Sequence, residues 1–199
     1  MVDSENLIML FIGLEIGSIS LYALAGLNRV DKLSNEASLK YFLLGSLASC
    51  IFIYGVSLVY VSFSVLSVYD FATGVGFVGA DSVPLTTKLG VILIFIGLLF
   101  KIAAAPFQSW APDVYQGSPT GYVGYMASVA KASAFIVIAR LCQVSLRFMP
   151  NEFDSFFLFV VILSVVIGSI FASVQDDLKR LLAYSGVVQS GFILSGIVS

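Results

Sequence analysis

Long apolar runs almost free of charge constrain this chain more than any other feature. Between Leu89 and Phe100 the sequence reads LGVILIFIGLLF, and comparable stretches recur along its length. In lipid, only helices and closed barrels leave no backbone polar group unsatisfied. Barrel strands alternate apolar and polar side chains over about ten residues, whereas these runs are longer and continuously apolar. The sequence therefore predicts an all-α polytopic membrane helix bundle, a single membrane domain over residues 1–199. Hydrophobic residues make up 59% of the chain and charged residues 11%, with mean hydropathy +1.01; soluble domains carry about 25% charged residues.

Several function classes drop out. Net charge is −2 with no basic patch, so nucleic acid is not an expected partner. There is no histidine, which removes the commonest metal ligand and the usual acid–base group near neutrality. Cys50 and Cys142 sit singly in apolar runs, where cysteine behaves as a small hydrophobe. No haem or iron–sulfur spacing is present, and neither a cofactor nor a metal is expected. The acidic start MVDSENLIML does not read as a signal peptide.

About six helical spans are expected, each near the ~20 residues that cross a bilayer. They run about Asn6–Leu27, Ala37–Phe63, from Thr86 with an interruption around Pro106, Gly121–Phe148, Asp154–Val174 and from Leu178 onward. The Gly-rich segment Ser64–Leu85, with Asp70 and Asp81, is expected to hold a short surface helix. Connectors carry Arg29, Lys32, Lys179 and Arg180 on one side, and Lys88 and Arg147 with Arg140 nearby on the other. The positive-inside rule places the first group in the cytoplasm.

Three ionisable residues fall deep inside spans: Glu15 in IMLFIGLEIGSISLYAL, Lys101 before the interruption, and Lys131 in YMASVAKASAFIVIA. Each lies ten or more residues into its span, ~15 Å at ~1.5 Å per residue, too deep for snorkelling. A charge in hydrocarbon costs roughly 2.5–3.5 kcal/mol on insertion scales and is read as functional by default. Two lysines and one glutamate leave an unmatched cation, which argues against a purely structural pair. Strongly interacting groups titrate as a unit, which suits proton transfer. Lys40, near the start of its helix, is within reach of the surface.

Pro106 removes a backbone donor and clashes with a preceding helical turn; a broken helix beside a buried cation is a transporter construction. Gln108, Ser109, Ser118 and Thr120 are placed to hydrate the gap. Gly117–Thr120 reads as a turn and helix start with Ser118 or Thr120 as cap, and Asp113 as a local turn or cap residue. Trp110 and Tyr115 are either interfacial anchors or walls of a polar pathway. GSLAS (Gly45–Ser49) is expected to permit close helix packing.

FKIAAAPFQSWAPDVYQGSPT (Phe100–Thr120) resembles the broken-helix signature of the antiporter-like subunits of respiratory complex I, the NADH:quinone oxidoreductase. GLE (Gly13–Glu15), EASLKYFLLGSLAS (Glu36–Ser49), SVAKASAF (Ser128–Phe135) and KRLLAYSGVVQSGF (Lys179–Phe192) agree in order and spacing. DVYQGSPT and the lysine of SVAKASAF look most like the N subunit, called subunit 2 in mitochondria. The resemblance implies an inverted-repeat fold, with the first repeat over 6–148 and the start of the second over 154–199. It implies a Glu15–Lys101 pair, a central relay Lys131, and proton translocation driven by quinone chemistry elsewhere in the complex. Partners would be other membrane-arm subunits, including antiporter-like siblings, with quinone and NADH bound by other subunits of the complex. The setting would be a bacterial plasma membrane or an organelle inner membrane. Where the family often carries histidine, this chain has Gln108 and Gln189. The rival readings are a subunit of a sodium/proton antiporter complex or membrane-bound hydrogenase, and a non-conducting scaffold.

Overall fold

The computed structural model describes residues 4–79, 82–145 and 150–198. The sequence expectations for Asp81 and Arg147 fall outside them. The described residues are helical apart from connectors and an isolated Asn6–Ser67 bridge. Among the described residues five helices are long and apolar enough to span a membrane; the interrupted helix accounts for the sixth expected span.

α1 (Leu7–Ala25) starts where the Asn6 side chain accepts the Ile8 N–H at 2.9 Å. α2 (Lys32–Phe63) starts where Asp31 does the same for Leu33 at 3.0 Å. In the tight hairpin between them, Ser34 and Ser38 donate to the Ala25 and Tyr22 carbonyls, supplying partners for the end of α1. α2 has 32 residues, about 48 Å of helix. It stops at Ser64, whose φ is 55°. α3 (Val68–Val78), capped by Ser67, is the short helix expected in that segment and buries Val68, Phe71 and Val75.

α4 (Leu85–Lys101) packs closely along α2. A Cβ on Gly55 would stand 2.6 Å from the Gly90 carbonyl, and one on Gly90 would stand 2.8 Å from the Gly55 carbonyl. The two backbones meet with no room for a side chain.

The helix break differs from its expected form. α4 ends at Lys101, before Pro106 is reached, and Ala103 takes φ 55°. Pro106 lies exposed in the middle of the break, so the preceding turn it would clash with is not helical. Ile102, Ala103, Ala104 and Ala105 are fully buried. α5 (Trp110–Gly117) resumes the helix. α6 (Thr120–Tyr125) runs through a π-helical turn, Met126–Ala130, into α7 (Lys131–Ser145). α8 (Pro150–Ser173) and α9 (Leu178–Val198) form the last hairpin. The apolar faces left exposed, such as Ile12, Ile16 and Ile19 on α1 and Leu158, Phe159 and Ile162 on α8, suit a lipid or subunit environment.

The connectors alternate ends as expected. Asp113 of α5 contacts both Lys40 near the start of α2 and Arg180 at the start of α9, while Arg140 reaches the Ser4 carbonyl at the opposite end.

Candidate functional site

Lys101 closes α4, and its ammonium turns toward α1. Nζ donates to Ser18 Oγ at 2.6 Å and to the Tyr22 hydroxyl at 3.4 Å, and lies 3.8 Å from Glu15 Oε1. The Ser18 hydroxyl in turn donates to the Leu14 carbonyl at 2.6 Å, so its lone pairs face the amine. Glu15 is claimed more tightly by α2, whose Ser49 hydroxyl donates to Oε1 at 2.5 Å. The structure therefore brings Glu15 and Lys101 together, with Ser18, Tyr22 and Ser49 completing the group. Sequence reasoning missed these three. GSLAS packs as expected at Gly45, which lies against the Tyr22 hydroxyl, but its Ser49 belongs to the site.

Lys101 borders a cleft of about 500 Å³ between α1 and the α6–α7 helix, lined also by Gly17, Tyr125, Ala130 and Ser133. The same α6–α7 helix forms the wall of a second cleft, about 450 Å³, facing α9. Lys131 lies on that side, 7% exposed, with Nζ 3.3 Å from the Gly186 carbonyl. Tyr115, Ser128, Ser185 and Gln189 share its cleft. The two lysines therefore occupy opposite faces of one helical wall. The π-helical turn immediately before Lys131 breaks the regular register of that wall; such turns are frequent at functional sites.

The break between the lysines is held from α8 and α9. Ser164 Oγ accepts the Ala105 N–H at 2.9 Å, and Ser190 Oγ donates to the Ile102 carbonyl at 2.9 Å. Trp110 Nε1 donates to the Phe100 carbonyl at 3.0 Å, and its ring stacks on Tyr41 with centroids 4.7 Å apart. Trp110 is 2% exposed, so it fastens the break and is not an interfacial anchor. Tyr115 is equally buried and walls the Lys131 cleft. Gln108 Oε1 and Ser118 Oγ are buried without a hydrogen-bond partner among the described residues.

Two local expectations need correcting. α6 is capped by Pro119 with no side-chain cap bond, not by Ser118 or Thr120. Asp113 is neither turn former nor cap: it accepts from Lys40 Nζ at 2.7 Å and from Arg180 Nη1 at 2.6 Å. Lys40 also pairs with Glu36 at 2.7 Å, so it belongs to this end cluster and not to the Lys101 group. Beside it, Asp177 caps α9 by accepting the Lys179 and Arg180 N–H groups. The Arg180 backbone N–H foremost holds its carboxyl below the usual carboxylate range. Among the described residues no group of His, Cys, Asp or Glu could hold a metal ion.

The profile of the transmembrane family described as NADH:quinone oxidoreductase/Mrp antiporter matches residues 4–199. The chain belongs to that family. It is 38% identical over 199 residues to NADH-quinone oxidoreductase subunit N of Hydrogenovibrio crunogenus, covering 100% of this chain and 41% of that protein. Among solved structures it superposes on a chain of respiratory complex I from Thermus thermophilus with a TM-score of 0.83 at 38% identity, over 98% of this chain and 41% of that one. A chain of an archaeal membrane-bound sulfane sulfur reductase gives 0.85 at 29% identity, over 98% and 39%. The expected kinship with subunit N and the antiporter-like membrane fold are both borne out. The chain spans about two fifths of the length of these relatives.

Proposed function

We propose that this chain is part of a proton-translocating membrane-arm subunit of an NADH:quinone oxidoreductase, with Glu15, Lys101 and Lys131 as its relay. In this reading α1–α7 form the first repeat and α8–α9 begin the second. Other membrane-arm subunits adjoin it, antiporter-like siblings among them, and quinone and NADH are bound by other subunits; the setting is a bacterial plasma membrane, with the connectors that carry Arg29, Lys32, Lys179 and Arg180 on the cytoplasmic side.

The observation that carries the reading is the divided allegiance of Glu15. Its carboxylate lies on Ser49 at 2.5 Å and 3.8 Å from Lys101. A shift of about 1 Å would bring it into hydrogen-bond range of the amine. Approach of the carboxylate favours the ammonium, and withdrawal to Ser49 favours release of its proton. The released proton passes around the α6–α7 wall to Lys131, whose own amine faces a separate cleft. Quinone chemistry elsewhere would drive the displacement of Glu15, coupling redox turnover to the relay.

The test is Lys131→Ala in the assembled complex. Pumping should fall together with quinone reductase activity, and full pumping would remove Lys131 from the path. A second reading, as a subunit of another ion-translocating respiratory assembly, is favoured by the likeness to the sulfane sulfur reductase chain. Sodium-dependent transport in vesicles would support it over the first.

A further inference from the structure

We propose that the Ser190 hydroxyl is a positioning group that couples Lys131 to the break after Lys101, by moving its hydrogen bond between the Gly186 and Ile102 carbonyls. The inference rests on the relay reading, because it gives Lys131 two protonation states to report.

Three donors converge on the Gly186 carbonyl. Lys131 Nζ stands 3.3 Å away and Ser190 Oγ 2.8 Å away. The α-helical ladder of α9 directs the Ser190 backbone N–H at the same oxygen. A carbonyl oxygen has two lone pairs, so the three cannot all be served at full strength. Of the three, the Ser190 hydroxyl has a second acceptor in place: the Ile102 carbonyl at 2.9 Å. Ile102 caps the C-terminal end of α4, where carbonyls have no partner within the helix. Both Ser190 and Ile102 are almost fully buried, so water offers little substitute.

The hydroxyl carries one proton, which stays on Ser190 throughout and points one way at a time. A charged Lys131 is the stronger donor; it takes the Gly186 carbonyl and turns the hydroxyl onto Ile102. A neutral Lys131 yields that carbonyl, the hydroxyl turns back, and the residue after Lys101 loses its hold. The coupling is reciprocal: a change at the break alters how firmly Lys131 is gripped. Gly186 is part of the device, because a Cβ there would stand 3.1 Å from Lys131 Nζ. Among the described residues, the titratable groups facing the same cleft are Tyr115 of α5 and Lys179 of α9, with no carboxylate lining it. Lys101 of α4 borders the cleft on the other side of the α6–α7 wall.

The experiment is the pH profile of proton pumping by the assembled complex in liposomes, with Ser190→Ala, Ser190→Thr, Gly186→Ala and Lys131→Ala. Ser190→Ala leaves the Gly186 carbonyl to the amine, so the alkaline limb should move upward by about 0.5 pH unit, the worth of one net hydrogen bond. Ser190→Thr keeps the hydroxyl and should restore the wild-type limb. Gly186→Ala crowds the amine and should move the limb the other way, and it decides the matter if Ser190→Ala fails to assemble. A Ser190→Ala profile that superimposes on wild type, a Thr variant that behaves like Ala, or an unmoved Gly186→Ala limb would overturn the proposal. If Lys131→Ala pumps fully, the relay reading itself fails; if Lys131→Ala is blocked while the Ser190 and Gly186 profiles stay put, only the coupling fails.

Discussion

Glu15 Oε1 lies 3.8 Å from Lys101 Nζ and only 2.5 Å from the Ser49 hydroxyl that donates to it. The carboxylate is thus held beside the lysine but bonded to another helix. Ser49→Ala removes the competing donor. Glu15 should then settle on Lys101 and favour its charged form, slowing proton release. Pumping turnover should fall several-fold in complexes that assemble normally, and an unchanged turnover would show that Ser49 does not restrain Glu15.

Glu15→Gln keeps the shape and a hydrogen-bonding acceptor for Ser49 while removing the charge. We expect normal assembly with impaired pumping, and a smaller loss of stability than for Lys101→Met. Thermal unfolding of the purified complex alongside a pumping assay separates the two effects.

The α2–α4 crossing predicts a purely structural lesion. Gly55→Ala would press a methyl group to 2.6 Å from the Gly90 carbonyl oxygen. The helices must part, at a cost of about 1–3 kcal/mol. Assembly yield should drop while the complexes that do form retain their pH profile.

The capping Asp177 gives a pH-dependent prediction. Its carboxyl is held below the usual carboxylate range by the Arg180 N–H first, with Lys179 and Gln116 assisting. A depressed carboxyl stabilises the fold above the unfolded-state value, about 3.9, and that contribution is lost as pH falls through the folded value. Asp177→Asn keeps a good cap without the charge. It should lower the unfolding temperature at pH 7 and converge with wild type as the pH is lowered below about 4.

The spans and the three charges within them were legible because both follow from solvent physics: lipid demands helices, and a charge in an apolar run has no cheap explanation. The serines were not. A hydroxyl in an apolar helix can bond its own preceding turn, as Ser18 does with Leu14 and Ser190 with Gly186, so Ser18, Ser49, Ser164 and Ser190 leave no composition signal. Their tertiary partners exist only once the helices pack. The start of the break was hidden too: Ala103 takes φ 55° within a fully buried segment and no residue type there announces it, while the visible signal was Pro106. Asp113 looked local because its partners, Lys40 and Arg180, are far away in the chain.

Lys101→Met tests the central claim most directly, since it keeps the bulk of the side chain and deletes the charge that Ser18, Tyr22 and Glu15 surround. In the intact, assembled complex, quinone reductase activity and proton pumping should fall together, because a blocked path stalls a coupled machine. Near-normal pumping by an assembled Lys101→Met complex would contradict the account.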